Sequence, residues 1–431
     1  MLGAGCTAMA GATPDWQSLD PYATNLLQRY IRIDTSNPPA DTTATAALLK
    51  SELERHGFAV QLFDAGNGHV NLVTRLAGRD HTKKPLLLLN HMDVVPVDRK
   101  AWSMDPFGGI LKDGWIWGRG ALDMKSTGII QMMALMALKD SGVTPARDIV
   151  FLASADEEAG GVWGVRWVFD HHPEVLNVEY AIDEGGFLTR DVLAPGKLVA
   201  GISIGEKQPV WVRLRAKGTA GHGSQPIPDN ANDILLRAIA RAMDLPPDPK
   251  PNAIVEGMRR DFGGFAPGKF SNAIQKNTMN LTSLRSGVGD PPKPNVIPSA
   301  AEATIDCRLL PGVNFEEFVS DIRARINDPS VTVEMISNPV DAGSSEPNTP
   351  VFAALRAAVL KYYPATVTPI LVPYSTDSAF LRRHGVKAYG FLPMLLDAPT
   401  LATFHSDEER VQVSEFLRGI RVYYDFLSSA L

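Results

Sequence analysis

Five stretches of this chain deliver histidine or acidic residues just where an apolar run or a glycine-rich loop ends. The run LLLLN leads into His91-Met92-Asp93, and Trp117-Gly118-Arg119-Gly120 leads to Asp123 in front of a long helical stretch. FLAS is followed by Asp156-Glu157-Glu158-Ala159-Gly160-Gly161, Ile182 by Asp183-Glu184-Gly185-Gly186, and near the C-terminus His405 stands beside Asp407-Glu408-Glu409. Taken singly, each has a plain structural alternative: a turn histidine for His91, a helix N-cap for Asp123. Taken together they resist that reading, because adjacent carboxylates repel one another unless a cation neutralises them. The two cysteines, Cys6 and Cys307, lie far apart in dissimilar surroundings, so neither a thiolate site nor a disulfide framework is expected. Imidazole and carboxylate donors without thiolate suit Zn²⁺ or another borderline divalent ion. One carboxylate shared between two such ions would make a dinuclear centre that polarises both a nucleophilic oxygen and a scissile carbonyl.

The elements that must position these groups alternate. From Leu86 onward the order is apolar strand, loop, helix, apolar strand, and the strands are apolar on both faces, as in a mostly parallel sheet covered by helices. After Gly205 the pattern changes to strict alternation: Val210, Val212, Leu214 and Ala216 point one way, Trp211, Arg213, Arg215 and Lys217 the other. Ala303 to Leu309 repeats it, and a helix near Asn232 to Asp244 lies between. The expected architecture is therefore α/β, with residues 1–206 and 323–431 forming a discontinuous catalytic domain and 207–322 an inserted, smaller α+β domain.

Composition excludes several classes. The 431 residues are 45% hydrophobic and 21% charged, with a net charge of -6, and no basic cluster suggests a nucleic-acid partner. The longest apolar stretches fall short of the ~20 residues needed to span a bilayer. The start, MLGAGCTAMAGA, lacks the basic and long apolar regions of a complete secretory signal, so the cytoplasm is slightly favoured; a trimmed export signal, or a lipoprotein site at Cys6 with its spacing off by one, is the alternative. Gly118-Arg119-Gly120 lacks the third glycine and preceding strand of a dinucleotide fingerprint.

The strings LLLLNHMDVVPV, WSMDPF, IWGRGALDMKS, ADEEAGG, AIDEGG, GTAGHGSQP, NVIPSAAEATIDCRLLPG, YSTDSAFLRRHGVKAYGFLP and HSDEERV occur in this order. Spanning about Tyr30 to Tyr424, they resemble the dinuclear zinc metallopeptidase family of aminoacylase, carboxypeptidase G, carboxypeptidase S, carnosinase and succinyl-diaminopimelate desuccinylase. The DEGG and HSDEER forms look nearest to the aminoacylase and carboxypeptidase S branch. The resemblance implies two Zn²⁺, with Co²⁺ or Mn²⁺ as substitutes. It implies His91, Glu158 and His405 as ligands, Asp123 as the bridge with a cis peptide after it, Asp93 orienting His91, and Glu157 as general base. Asp183 and Glu184 both remain candidates for the last ligand, the following glycine favouring Glu184. In the inserted domain it implies that His222 reaches the reacting carbonyl, often across a dimer interface, and that Asn295 stands beside the substrate. Arg308, on the polar side of its strand, suits a substrate carboxylate, against the plainer alternative of an ion pair with Asp306. Thr376 and Asp377 match a substrate loop whose preceding glycine is here Ser375.

The function so implied is hydrolysis of an amide or peptide bond next to a free carboxylate, in an N-acyl amino acid or short peptide, by a homodimer joined through the inserted domain. An aminopeptidase or another deacylase of the family is the alternative, and a cation at Arg308 argues against binding a free amine. A non-catalytic metal scaffold would be expected to lose Glu157. His56, His69, His81, His171, His172 and His384 lack comparable context.

Overall fold

A computed structural model describes residues 13–244, 252–337 and 339–429. The N-terminal stretch with Cys6, on which the export and lipidation expectations rest, lies outside them. An eight-stranded sheet runs in the order Val60–Asp64, Val70–Leu76, Ile149–Ser154, Leu86–His91, Tyr180–Arg190, Lys387–Leu395, Leu198–Glu206, Thr366–Val372. Its centre is parallel, as the doubly apolar strands require: Leu86–His91 pairs in parallel with Ile149–Ser154 and Tyr180–Arg190, and Tyr180–Arg190 with Lys387–Leu395. Helix Lys125–Asp140 is apolar nearly all round because it is covered on all sides, lying between this sheet and helices Trp16–Ile31 and Val413–Ser428. Among the described residues no helix is long and apolar enough to cross a membrane.

One strand differs from the sequence expectation. Tyr180–Arg190 does not end at Asp183-Glu184 but continues beyond them, turning antiparallel to Leu198–Glu206 from Phe187. The glycines make this possible. Gly185 takes a φ of 126°, and a Cβ on Gly390 would stand 1.9 Å from the carbonyl oxygen of Glu184. The two backbones can therefore close around Glu184 only with bare Cα atoms at the crossing.

A second sheet, all antiparallel, is ordered Thr278–Ser286, Ala300–Leu309, Gln208–Lys217, Val331–Met335. The alternation read from the sequence holds: Val210, Val212, Leu214 and Ala216 are buried with Ile305, Cys307 and Leu309 under helices Ala231–Met243 and Phe315–Ile326. Two boundaries shift. The limit expected at 322 falls inside helix Phe315–Ile326, and the sheet also takes in Val331–Met335, whose short alternating run carried little signal. Helix Ala253–Phe262 and Ile274 of the following helix, expected to belong to the inserted unit, pack instead on the large sheet's edge strand Thr366–Val372, where Val255, Met258, Phe262 and Ile274 meet Ile370 and Leu371.

Replacing Gly390 by alanine is expected to cost about 3 kcal/mol through overpacking against the Glu184 carbonyl. Gly268→Ala, where no atom lies within 4 Å of the new Cβ, is expected to cost less than about 1 kcal/mol. Equilibrium urea unfolding of the two variants decides it, and equal losses would contradict this account of the crossing.

Candidate metal centre

His91 closes its strand with its ring buried. Its Nε2 lies 3.2 Å from Asp123 Oδ1 and 3.6 Å from Glu184 Oε1. His405, at a left-handed φ of 58° in the C-terminal loop, puts its Nε2 3.0 Å from Asp123 Oδ2 and 3.4 Å from Glu158 Oε1. Asp123 thus faces one group with each oxygen. His91, Asp123 and Glu184 offer donor atoms all within 4.8 Å of one another, and so do Asp123, Glu158 and His405. The peptide after Asp123 is cis.

Asp93 lies behind this layer. Its backbone oxygen is 2.9 Å from His91 Nδ1, while the carboxylate, 3.5 Å from the same nitrogen, accepts from the backbone N–H groups of Glu157 and Glu158. One buried acid therefore steadies an imidazole and fixes the turn that presents both glutamates.

The electrostatics are those of a site short of positive charge. Burial, with Glu184 next, holds the Glu157 carboxyl well above the usual carboxylate range. Burial likewise raises Glu158, and burial with Asp123 raises Glu184. The imidazoles respond oppositely. Burial opposes charge on His91, yet its bonds to Asp123, Asp93 and Glu184 hold it well above its usual value, and Asp123 with Glu158 pushes His405 up to about 10. Asp123 is lowered despite its burial because both imidazoles bond to it. Protons here do the work of cations. Glu158 Oε1 is buried with no hydrogen-bond partner, an orphan acceptor of the kind a metal ion satisfies. Nitrogen and oxygen donors around a shared carboxylate fit divalent ions.

The sequence profile of peptidase family M20/M25/M40 matches residues 87–429. The chain belongs to that family. It is a metallopeptidase-class hydrolase acting on amide or peptide bonds. It is 32% identical over 416 residues to aminoacylase-1 of Sus scrofa, covering 94% of each chain. It is 29% identical over 391 residues to the probable carboxypeptidase S-like 2 of Dictyostelium discoideum, covering 83% of this chain and 74% of that one. Among solved structures it is similar in fold to an M20 family metallo-carboxypeptidase from Sulfolobus solfataricus, with a TM-score of 0.70 at 20% identity over 95% of this chain and 98% of that one. Human carnosine dipeptidase 1 gives 0.68 at 18% identity, over 96% and 97%.

The structure of this M20 hydrolase brings together His91, Asp123, Glu158, Glu184 and His405, with Glu157 and Asp93 adjoining. It does not bring in Asp183, which sequence had left open as a ligand. That carboxylate accepts from Ser378 N and Oγ at 3.0 and 2.8 Å and belongs to neither group. Thr376 Oγ1 and N donate to Glu206, while Asp377 is buried with Oδ2 3.5 Å from Ser154 Oγ. Thr376, Asp377 and Glu157 line one cavity of about 300 Å³. Arg308 is held by Asp306, with Nε and Nη2 donating at 2.9 and 3.0 Å, the plainer alternative weighed above. His222 is exposed and meets Ser224, and Asn295 is exposed in the turn before strand Val296–Ile297, its carbonyl accepting from Gly223. None of these three bonds to the acidic cluster among the described residues.

Two supports went unread in the sequence. Glu409 is fully buried: its Oε1 accepts from the N–H groups of Leu122 and Asp123, and its Oε2 from Arg119 at 2.6 Å. Asn37 donates to both Asp93 Oδ2 and Asp156 Oδ1. The only signals were a third acid after His405 and an arginine between two glycines.

These shifts set a pH dependence. The raised Glu157, Glu158 and Glu184 make the metal-free folded chain bind more protons than the unfolded one above the usual glutamate value of 4.5. Stability from these groups, and from His405 up to about 10, is therefore lost as pH rises. Asp93 and Asp123, being lowered, act in the opposite sense, but only below their usual 3.8. The chelator-stripped protein is expected to melt at a lower temperature at about pH 8 than at about pH 5.5, and added divalent metal to raise the melting temperature more at the higher pH. A metal-induced shift equal at both values would contradict the assignment.

Proposed function

We propose that this chain is a dinuclear zinc hydrolase that cleaves an amide bond beside a free carboxylate, in an N-acyl amino acid or dipeptide, with Glu157 as general base. The observation that carries the reading is Asp123, whose two oxygens face His91 with Glu184 on one side and His405 with Glu158 on the other, Glu157 following Asp156 in the same turn. The similarity to aminoacylase-1 supports the substrate class.

His91, Asp123 and Glu184 would hold one ion and Asp123, Glu158 and His405 the other. When bound, such a pair supplies Lewis acidity to water and to the scissile carbonyl. Glu157, raised in its metal-free surroundings, takes the proton of the attacking water and returns it to the departing nitrogen. Asp93 keeps that carboxylate in place through the Glu157 N–H. Arg308 exchanges Asp306 for the substrate carboxylate, the two being equivalent planar partners for a guanidinium. His222 stabilises the oxyanion. Its strand pairs with Val296–Ile297, past the end of Gln208–Lys217 that is remote from the large sheet, roughly 30 Å along that strand. This favours action on the active site of a second copy, in a homodimer joined through the second sheet.

Glu157→Gln is expected to bind the wild-type complement of two zinc ions while losing about 10²–10⁴-fold in turnover of an N-acyl amino acid. Metal counting beside a hydrolysis panel of N-acyl amino acids, dipeptides and amino-acid amides tests both parts. Retained activity removes Glu157 from the base role, and preference for the amides removes the carboxylate requirement.

A further inference from the structure

Four of the five proposed ligands are held by a buried neighbour. Asp93 bonds to the His91 ring and to the Glu158 N–H, Glu409 takes the Asp123 N–H, and Arg119 Nη2 donates to the backbone oxygen of His405 at 3.3 Å. Glu184 is the exception. Its carboxylate has one hydrogen-bonding or ion-pair neighbour among the described residues, His91 at 3.6 Å. Its backbone lies where Gly185, Gly186 and Gly390 let strands close on one another: a Cβ on Gly186 would stand 2.2 Å from the Gly201 carbonyl oxygen, as one on Gly390 would stand 1.9 Å from that of Glu184. Bare Cα atoms permit this crossing, but they offer no side chain to pack the segment after Glu184 in place, and glycine has the widest backbone freedom.

Tyr374 supplies a hold from outside the strand. It stands two residues past strand Thr366–Val372, and its hydroxyl donates to the Gly185 carbonyl at 2.7 Å. Thr376, whose N and Oγ1 both donate to Glu206, fixes the same loop two residues further on, so the hydroxyl is delivered by a segment that is itself anchored. The two ends of the tyrosine have different surroundings. The residue as a whole is 37% exposed, whereas burial, then Glu184 and Asp123, raise the hydroxyl well above its usual value. The polar end therefore reaches in beside the acids while the ring stays open to solvent.

We propose that Tyr374 is a positioning residue for Glu184: by holding the Gly185 carbonyl it keeps the Glu184 carboxylate turned toward His91 and Asp123, and so sets the affinity of one ion and not of the other. This rests on the dinuclear reading of the site. Without the hydroxyl the glycine segment is free to turn, and repulsion from Asp123 drives the two carboxylates apart. An ion must then order Glu184 as it binds, which lowers its affinity. Groups that orient a ligand from behind in this way are typically worth about 10- to 100-fold in metal binding.

The test measures Zn²⁺ affinity of the metal-free, full-length chain by competition with a chromogenic chelator. His405→Ala keeps the group of His91, Asp123 and Glu184, and Glu184→Ala keeps that of Asp123, Glu158 and His405. Tyr374→Phe is expected to weaken binding about 10- to 100-fold in the first background and to leave the second within about twofold. In the otherwise unaltered chain it is expected to weaken one of two binding steps by that factor and spare the other. Phenylalanine keeps the ring, and a folding defect would weaken both backgrounds alike, so the contrast isolates the hydroxyl. An unchanged affinity in the His405→Ala background, or an equal loss in both backgrounds, overturns the positioning role. Two ions bound equally well with and without the hydroxyl remove the role of Tyr374 alone, whereas a parent chain that binds no Zn²⁺ removes the dinuclear reading with it.

Discussion

The constraint on which this fold turns is the concentration of negative charge in a largely enclosed cleft. Asp93, Asp123, Glu157, Glu158 and Glu184 converge around two imidazoles; Asp93 and Glu184 are buried and the other three half-buried. Like charges at that density in a low-dielectric setting cannot all stay ionised without cations. In the metal-free chain the imidazoles are shifted toward their charged form and Glu157, Glu158 and Glu184 toward their neutral one, which lessens the repulsion at a cost the surrounding structure must carry. Only a rigid frame holds mutually repelling groups in place, and much of the scaffold can be understood as that frame.

The frame is made of groups that form hydrogen bonds without adding ligands. Asp93 receives two backbone N–H groups from the glutamate turn, and Asn37 bridges Asp93 to Asp156 at the base of that turn. Glu409 does for Asp123 what Asp93 does for the glutamates, accepting the Leu122 and Asp123 N–H groups while Arg119 neutralises it. Lys125, buried two residues after Asp123, donates to the carbonyls of Tyr30 and Ile33 and ties the N-terminal helix to the same loop. A buried charge with all its bonds satisfied specifies one geometry, because removing one partner leaves the other uncompensated.

The sequence made the first layer legible because ligand-type residues recur where strands and loops end, a pattern that survives without knowledge of contacts. The fold class was legible for a related reason: doubly apolar runs such as Leu86–Leu89 mean a covered parallel sheet, and the alternation at Val210–Ala216 means a half-exposed one. The choice between Asp183 and Glu184 was not legible. Neighbours on a strand face opposite sides, and nothing local says which side holds His91; the structure sends Asp183 to Ser378 and Glu184 to His91. Glu409 and Asn37 were missed because their partners lie 287 and 56 residues away and a single carboxylate or amide carries no periodicity. The placement of helix Ala253–Phe262 was illegible for the same reason at larger scale: it has an apolar face, but which sheet covers that face depends on pairing that no window of sequence contains.

The two sheets meet at a short buried junction. Glu206, Lys207 and Gln208 join the strands, and all three are buried. Glu206 is fixed to the large sheet's side by Thr376 and Arg382. Lys207, lowered by burial to about 7, donates to the carbonyls of Ala273 and Lys276 and to Thr278 Oγ1, each at 2.8 Å. Two of these acceptors, Ala273 and Lys276, lie outside the second sheet, so the buried Lys207 side chain holds the near end of Gln208–Lys217 against the segment packed on the large sheet. Pro209 and Trp211 therefore present a preformed wall to the cavity beside Glu157. Arg308, opposite Pro209 on the adjoining strand, stands at this fixed end, whereas His222 lies beyond the free one.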